Sequence, residues 1–422
     1  MDGPLRASAP EPAAPSHRPG RQRVAVVAGT VHRGAMPRYE KEAEGEKHMS
    51  TKNVSKGALL AVGALVLAGC SGSGDGSGGS ADGGPNWEPL AVTDEAQAEM
   101  QELYDAALES GETTVMLYAG HHDEFIPVYE AFEEDFPGME IDTATYVGAE
   151  LAATLEAEAE TGQHEVSVVS NPNADRYADF AAPYVPATFE INPDLEDRIA
   201  TDQVLGEGDL YTAAWALMFN MSYNTDLIDE DEMPETWADL AEAEWDDRIT
   251  FMNPITPGGV QTIVSQLLLG DVLTEDDVRA IAANGRAVAS DQLALQSISS
   301  GEYPVQPFSA VTSILLAAEN GAPVESYFPD ENNVIATEKW MLVKDAPSPD
   351  AGKLFLNYLH TKQTQEIVME AGNFPVNQDP DLESPYGYPA LQDLNFLPLV
   401  PQSELAPAIV GNAEFFESVF GD

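Results

Sequence analysis

Apolar residues recur along this chain in two alternating rhythms. Short apolar runs read as strands: Thr114 to Ala119, Val166 to Val169, residues 216–223, Ile249 to Met252 and Val334 to Val343, with another beginning at Met139. Between them apolar positions fall at helical spacing. Phe125, Val128, Phe132 and Phe136 share one face over 124–136, and a further helix covers 95–110. Gly258-Gly259 opens a helix carrying Val260, Ile263, Val264, Leu267 and Leu268 on one side, and Gly270 closes it. Residues 309–320 carry Val311, Ile314 and Leu315, with Gly321 just past the end. Ser348-Pro349-Asp350 supplies an N-cap and an N1 proline for a long helix that Gly372 ends. Strands alternating with helices predict an α/β chain with a largely parallel, doubly wound sheet. The folded part is long enough for two lobes rather than one core.

The N-terminal fifth breaks this rhythm. Lys52 and Lys56 precede an apolar run of Leu59, Leu60, Val62, Leu65, Val66 and Leu67, and Leu67-Ala68-Gly69-Cys70 follows. A basic start, a short apolar stretch and a small-residue exit form a secretory signal, too short to span a membrane stably. Cys70 is the sole cysteine. Its setting resembles the lipobox of bacterial lipoproteins, which implies a lipid-anchored mature N-terminus at Cys70 on the extracytoplasmic face of the cell membrane. Residues 1–48 are Pro-, Arg- and Ala-rich and do not fit a signal, so Met49 is the expected start and 1–48 a start-site error or disordered extension. Residues 49–69 then form the signal peptide, and Gly, Ser and Asp make 70–90 a flexible tether.

Charge narrows the partners. The whole chain has 19 Lys+Arg against 72 Asp+Glu, a formal −53, and the part from Cys70 onward is more acidic still, at −57. Nucleic acid and anionic lipid head groups are excluded as partners of such a surface. Scarce lysine and scattered acids suit high salt, where screening cuts self-repulsion. A single lipidated cysteine leaves no disulfide, so packing alone must hold the fold.

Several segments, in order, resemble family-1 extracellular solute-binding proteins, the capture subunits of ABC importers. Ala107-Leu108-Glu109-Ser110-Gly111 precedes the strand to Tyr118; Tyr223-Asn224-Thr225 resembles the family's turn; Pro234-Glu235-Thr236-Trp237-Ala238-Asp239-Leu240 resembles its helix start. Trp245 through Asn253-Pro254, Gly321-Ala322-Pro323-Val324 and the helix start at 346–355 continue the match, over roughly 95–420. The resemblance implies a two-lobe periplasmic-binding-protein type II fold with a hinge and interlobe cleft, no enzyme activity, a small-molecule solute, an ABC permease as partner, and a monomer. Lobe one is expected at 91–214 with 327–372 and lobe two at 215–326 with 373–422, the chain crossing near 211–217 and 327–329. The ferric-ion-binding branch is the most similar, and by that resemblance His122 is the position of a metal ligand. The branch's adjacent tyrosines fall at Ser309-Ala310-Val311-Thr312-Ser313, and its lobe-one carboxylate near Ser170-Asn171, none of them acidic.

In a two-lobe binder the ligand meets strand ends and helix starts, where free N–H groups favour anions. The candidate ligand residues are therefore His121, His122, Ser170, Asn171, Asn173, Trp215, Thr256, Gly258, Gly259, Ser309 and Thr312. Hydroxyls, amides and bare glycine N–H groups suit an organic anion such as a phosphate ester or phosphonate. No cofactor is expected beyond a possible bound ferric ion. Two other readings stand beside it: an iron(III)-specific binder with a non-standard ligand set, and a secreted hydrolase. The hydrolase lacks a recognisable nucleophile–base motif such as Gly-x-Ser-x-Gly in the folded part. Cys70→Ser is predicted to abolish lipid labelling and to shift the protein out of the membrane fraction; equal labelling of the variant and the parent would overturn the lipoprotein reading.

Overall fold

The structure is a computed structural model that describes residues 83–421 apart from 121–124, 147, 377–381 and 383. The expected signal, Met49, Cys70, and also His121 and His122, lie outside the described residues.

The first half of the fold follows the apolar rhythm closely. Helix α1 (Asp94–Ser110) starts at Thr93, whose Oγ1 accepts from Ala96 N at 3.2 Å, and ends at left-handed Gly111. Then come β1 (Thr114–Ala119), α2 (Ile126–Asp135), β2 (Glu140–Thr145), α3 (Gly148–Thr161), β3 (Val168–Ser170), β4 (Ala181–Ala182), α4 (Thr201–Val204) and the long β5 (Thr212–Asn224). The second half continues with β6 (Ile249–Met252), α5 (Gly259–Leu269), α6 (Glu275–Asn284), β7 (Gly285–Val288), α7 (Asp291–Ser299), β8 (Val305–Ala310) and α8 (Val311–Glu319). It closes with β9 (Val324–Tyr327), β10 (Val334–Val343), α9 (Pro349–Tyr358), α10 (Lys362–Glu370), β11 (Phe374–Pro375), α11 (Gln402–Gly411) and α12 (Ala413–Phe420).

The long helix expected from Ser348 to Gly372 is two helices. The break at 359–361 is made by side chains that take over the backbone's partners. Thr361 Oγ1 and Thr364 Oγ1 both donate to Tyr358 O, at 2.8 and 2.7 Å, and Gln365 Nε2 donates to Leu359 O at 2.9 Å. Ser348 holds the N-cap position without a side-chain cap bond.

The sheet is mixed rather than largely parallel. Its strand order is β2-β1-β3-β10-β5-β8-β6-β7, with β4, β9 and β11 attached to β10 or β5. Parallel pairs lie at both ends: β1 with β2 and β3, and β6 with β7 and β8. The middle is antiparallel, because β10 and β5 run against each other and against β3 and β8. The parallel ends were the readable part; the two central strands return from elements far apart in sequence.

Among the described residues five apolar clusters form, and three of them frame the middle of the sheet. Core one gathers Phe132, Phe136, Trp215, Trp340, Phe355 and Tyr358. Core two gathers Met221, Trp237, Phe251, Ile263, Phe308 and Val334. Core three lies on the other face of the central strands, with Ala216, Met218, Ile335 and Phe374. The same two strands therefore serve two cores on one face: on β5, Trp215 belongs to core one, while Phe219 packs against core two, and on β10, Trp340 belongs to core one and Val334 to core two. Between them Leu217 and Ala336, paired in register and both half-buried, belong to none of the apolar clusters among the described residues. On β10 the change from core two to core one lies between Val334 and Trp340, and Tyr327 packs in core two.

Phe132 is fully buried, with ring centroids 5.4, 5.2 and 5.3 Å from Phe136, Phe355 and Tyr358. Phe132→Ala is predicted to cost about 3–5 kcal/mol in urea unfolding, whereas Leu108→Ala, at a position 44% exposed, is predicted to cost under about 0.5 kcal/mol; comparable losses would overturn the assignment of core one. Asp291 opens α7 and accepts from Gln306 Nε2 of β8 at 2.8 Å. Burial pushes its carboxyl up to about 6, against the smaller opposing effect of that hydrogen bond. A carboxyl whose folded pKa is raised stabilises the fold fully below its unfolded pKa, and that contribution is lost as pH rises through about 6. Asp291→Asn is therefore predicted to remove a loss of about 2 kcal/mol between pH 4 and 7, read as the difference between the two proteins' urea midpoints across that range; parallel pH profiles would refute it.

Candidate functional site

Strands β1 and β3 run parallel with Ala119 beside Ser170, so the loops after them leave the sheet side by side. Ser170 is buried, and its Oγ donates to Glu338 Oε1 of β10, itself only 3% exposed. There the β10–β5 ladder slips: Glu338 faces Trp215 but Lys339 faces Ala213, so β5 carries one extra residue, a bulge. Lys339 is equally buried, and its Nζ donates to Pro172 O at 2.7 Å. Asn171 N donates to Lys339 O at 2.9 Å, and Asn171 Oδ1 accepts from Asn173 N at 2.8 Å, closing a side-chain turn. Ser170, Asn171 and Asn173 are thereby brought together and held against β10, opposite the bulge in β5. Trp215 is fully buried, 4.9 Å from the Phe125 ring and 5.3 Å from Trp340, and the Nε1 of each Trp has no hydrogen-bond partner. It forms the wall behind this corner rather than an exposed stacking surface.

A second corner forms where β6 and β8 end. After β6, Asn253 Oδ1 accepts from Ile255 N at 3.0 Å and its carbonyl accepts from Thr256 N at 3.1 Å, turning the chain into an exposed stretch over 256–259. Gly258 adopts φ 158° and ψ −161°, a region open essentially to glycine alone. Helix α5 starts there with no side-chain cap. A Cβ on Gly259 would lie 3.1 Å from the Phe219 ring, so glycine allows β5 to abut the helix start. Phe219 also pairs with Ala310, the N-cap of α8, which has no side-chain cap either. Two helices thus begin on either side of Phe219 with first-turn N–H groups that no capping side chain occupies, an arrangement that favours anions. Thr312 lies half-buried in that first turn of α8.

Ser309 has a different task. It is 1% exposed, and its Oγ bonds Asn220 O at 3.0 Å and Ser222 Oγ at 2.9 Å, inside the sheet. Beside it β8 carries an extra residue opposite Asn220 and Ser222, and Phe308 takes φ 61° in that bulge. The Phe308 ring lies flat on Trp237 at 5.3 Å, which holds a conformation that bulky residues seldom adopt. Ser309 and Phe308 set the start of α8 rather than offer their own atoms.

The two corners are joined by the central strands. Trp215 and Phe219 are four residues apart on β5, about 13 Å at strand rise, and Leu217 with Ala336 forms the half-buried floor between them. Among the described residues no group of three or more His, Cys, Asp or Glu is placed to hold a metal ion. Sequence reasoning missed Glu338 and Lys339. A Glu-Lys pair inside the apolar run 334–343 was the available signal, since charged residues are seldom fully buried without a partner.

This arrangement has known counterparts. Residues 182–392, half of the chain, match the family model for bacterial extracellular solute-binding proteins. Among solved structures, iron-bound HitA from Pseudomonas aeruginosa is similar at 18% identity and a TM-score of 0.57, over 73% of this chain and 99% of that one. Trichodesmium IdiA (FutA) in complex with iron and citrate is similar at 17% and 0.57, over 73% and 100%. A substrate binding protein of an ABC transporter from Agrobacterium tumefaciens is similar at 15% and 0.56, over 72% and 95%. These likenesses establish the type II periplasmic-binding fold. With half its length under the family model, the chain belongs to the bacterial extracellular solute-binding proteins.

Proposed function

We propose that this extracytoplasmic solute-binding protein captures an oxygen-rich organic anion, a phosphate ester or phosphonate, and delivers it to an ABC permease. It acts as a monomer, anchored by lipid at Cys70, with translation starting at Met49. Lobe one is built on core one and lobe two on core two, with the solute between the two corners. The observation that carries the reading is the pair of uncapped helix starts, α5 and α8, on either side of Phe219. A hydrogen bond to a charged group is worth roughly 1.5–3 kcal/mol, so three convergent ones reach the scale of micromolar capture, about 8 kcal/mol. The −57 surface repels anions at long range, but that field is screened beyond about 3–10 Å in salt, while the helix N–H groups act in contact.

Iron is the second reading, favoured by the buried Glu338 carboxylate at the first corner and by the likeness to iron-bound HitA and to IdiA (FutA) in complex with iron and citrate. Against it, residues 309–313 supply no tyrosinate or carboxylate. Ferric iron is a hard cation that prefers such anionic oxygen donors. Thermal unfolding with ethyl phosphate, methylphosphonate, ferric citrate and ferric nitrilotriacetate, at 0.1 M and 2 M KCl, separates the two. The expected outcome is a rise in Tm with a phosphate or phosphonate, larger in 2 M KCl. A rise with the ferric chelates alone, together with a visible charge-transfer band, would overturn the anion reading.

A further inference from the structure

One polar side chain at the floor has no work in the fold. Asn373 is 4% exposed, and neither its Oδ1 nor its Nδ2 has a hydrogen-bond partner. Both ends of a buried amide therefore carry a desolvation penalty with nothing to offset it. Its backbone is fixed on both sides. Its own N–H donates to Val368 O at 2.9 Å, at the end of α10. Gly372 before it takes φ 85°, and a Cβ there would lie 2.9 Å from Leu315 Cδ2 and 3.6 Å from Thr312 Cα, so this segment rests on the first turn of α8. Phe374 after it pairs with Ala216 and packs in core three, beneath the ribbon. Side chains alternate across a strand, and continuing the ladder by one residue sets Asn373 opposite Leu217, on the face that carries the floor. Alternation thus sets the unpaired amide on the floor's face, one residue from the glycine that rests on the start of α8.

We propose that Asn373 contacts the solute, and that the solute carries a hydrogen-bond donor beside its anionic oxygens. This rests on the reading of the site as one for organic anions. The argument is one of complementarity. Nδ2 is a donor and needs an acceptor, which an anionic oxygen supplies and a bare metal ion does not. Oδ1 is an acceptor and needs a hydroxyl or N–H, which a fully deprotonated phosphate or phosphonate lacks unless its organic arm bears one. The N–H groups at the start of α8 take the remaining anionic oxygens. A hydroxylated phosphate ester or phosphonate satisfies all three sets of atoms, and a site with buried polar groups rejects analogues that leave them unpaired.

The test is calorimetric titration of the full chain with ethyl phosphate and 2-hydroxyethyl phosphate, which differ only in the terminal hydroxyl. The native protein is expected to bind the hydroxylated ester at least tenfold more tightly. In Asn373→Leu that preference falls to within about twofold, while the Tm of the free protein stays level or rises, because a buried unpaired amide has been removed. Asn373→Asp keeps the acceptor and loses the donor; it weakens both esters at least tenfold and retains the preference for the hydroxyl. Equal affinity of the native protein for the two esters, or a preference unchanged in the Leu variant, overturns the role of Asn373 and leaves the anion site standing. Binding of neither ester by the native protein overturns the anion site itself, and this inference with it.

Discussion

The antiparallel ribbon of β5 and β10 is the constraint on which everything else rests. Its two strands hydrogen-bond each other from Thr212–Trp340 to Phe219–Val334 while passing from core one to core two. Core one cannot be rearranged without moving Trp215 and Trp340, and core two cannot be rearranged without moving Phe219 and Val334. The stretch between, Leu217 with Ala336, is backed by core three through Ala216, Met218 and Ile335 and belongs to no apolar cluster among the described residues. The proposed lobe closure would turn about this stretch, where an intact ladder keeps register. A slip of one residue would turn Trp215 and Phe219 to the opposite face and abolish both cores together. Bulges on either side of this segment, at Ala214 and at Phe308, pin the register further.

How much of this was legible follows from which interactions are local. Ile249–Met252 and Val334–Val343 are read residue for residue, because turn residues or polar loops bound each apolar run. The helix starts at Gly259 and Val311 are equally legible from their apolar faces and closing residues. The antiparallel middle of the sheet is not, since pairing Glu338 with Trp215 depends on residues 123 positions apart. Nor is the break between α9 and α10, which depends on two threonine hydroxyls choosing Tyr358 O over solvent. At the candidate site, the sequence points to loops but cannot tell which side chains are already spent. Ser170 and Ser309 are hydroxyls of the expected kind whose bonds go to Glu338 and to Asn220 and Ser222. Asn373 has no local signature at all, and only the closed account of its neighbours singles it out.

The acidic surface and the uncapped helix starts act at different ranges, which is how one molecule can hold both. Diffuse carboxylates set a long-range field that salt collapses. First-turn N–H groups act only within hydrogen-bond distance, where no ion atmosphere intervenes. Specificity is thereby separated from solubility: the outer charge can drift with the salinity of the surroundings while the corner formed by Gly258, Gly259 and the start of α8 keeps its chemistry.

The N-terminal segment makes the two cores unequal. Trp87 packs on core one with its ring edge-on to Phe136 at 5.4 Å, and Leu90 is fully buried in the same core. Asn86 is tied to Asp135 at the end of α2, with its amide donating at 2.9 Å, and Lys362 N donates to Leu90 O at 3.2 Å. Whatever restrains the chain before Gly83 therefore restrains core one and, through it, one side of the ribbon. None of residues 83–92 belongs to core two. Under the proposed closure, a chain held at its N-terminal end would keep core one still and swing core two, so the face that changed its orientation would be that of α5 and α12.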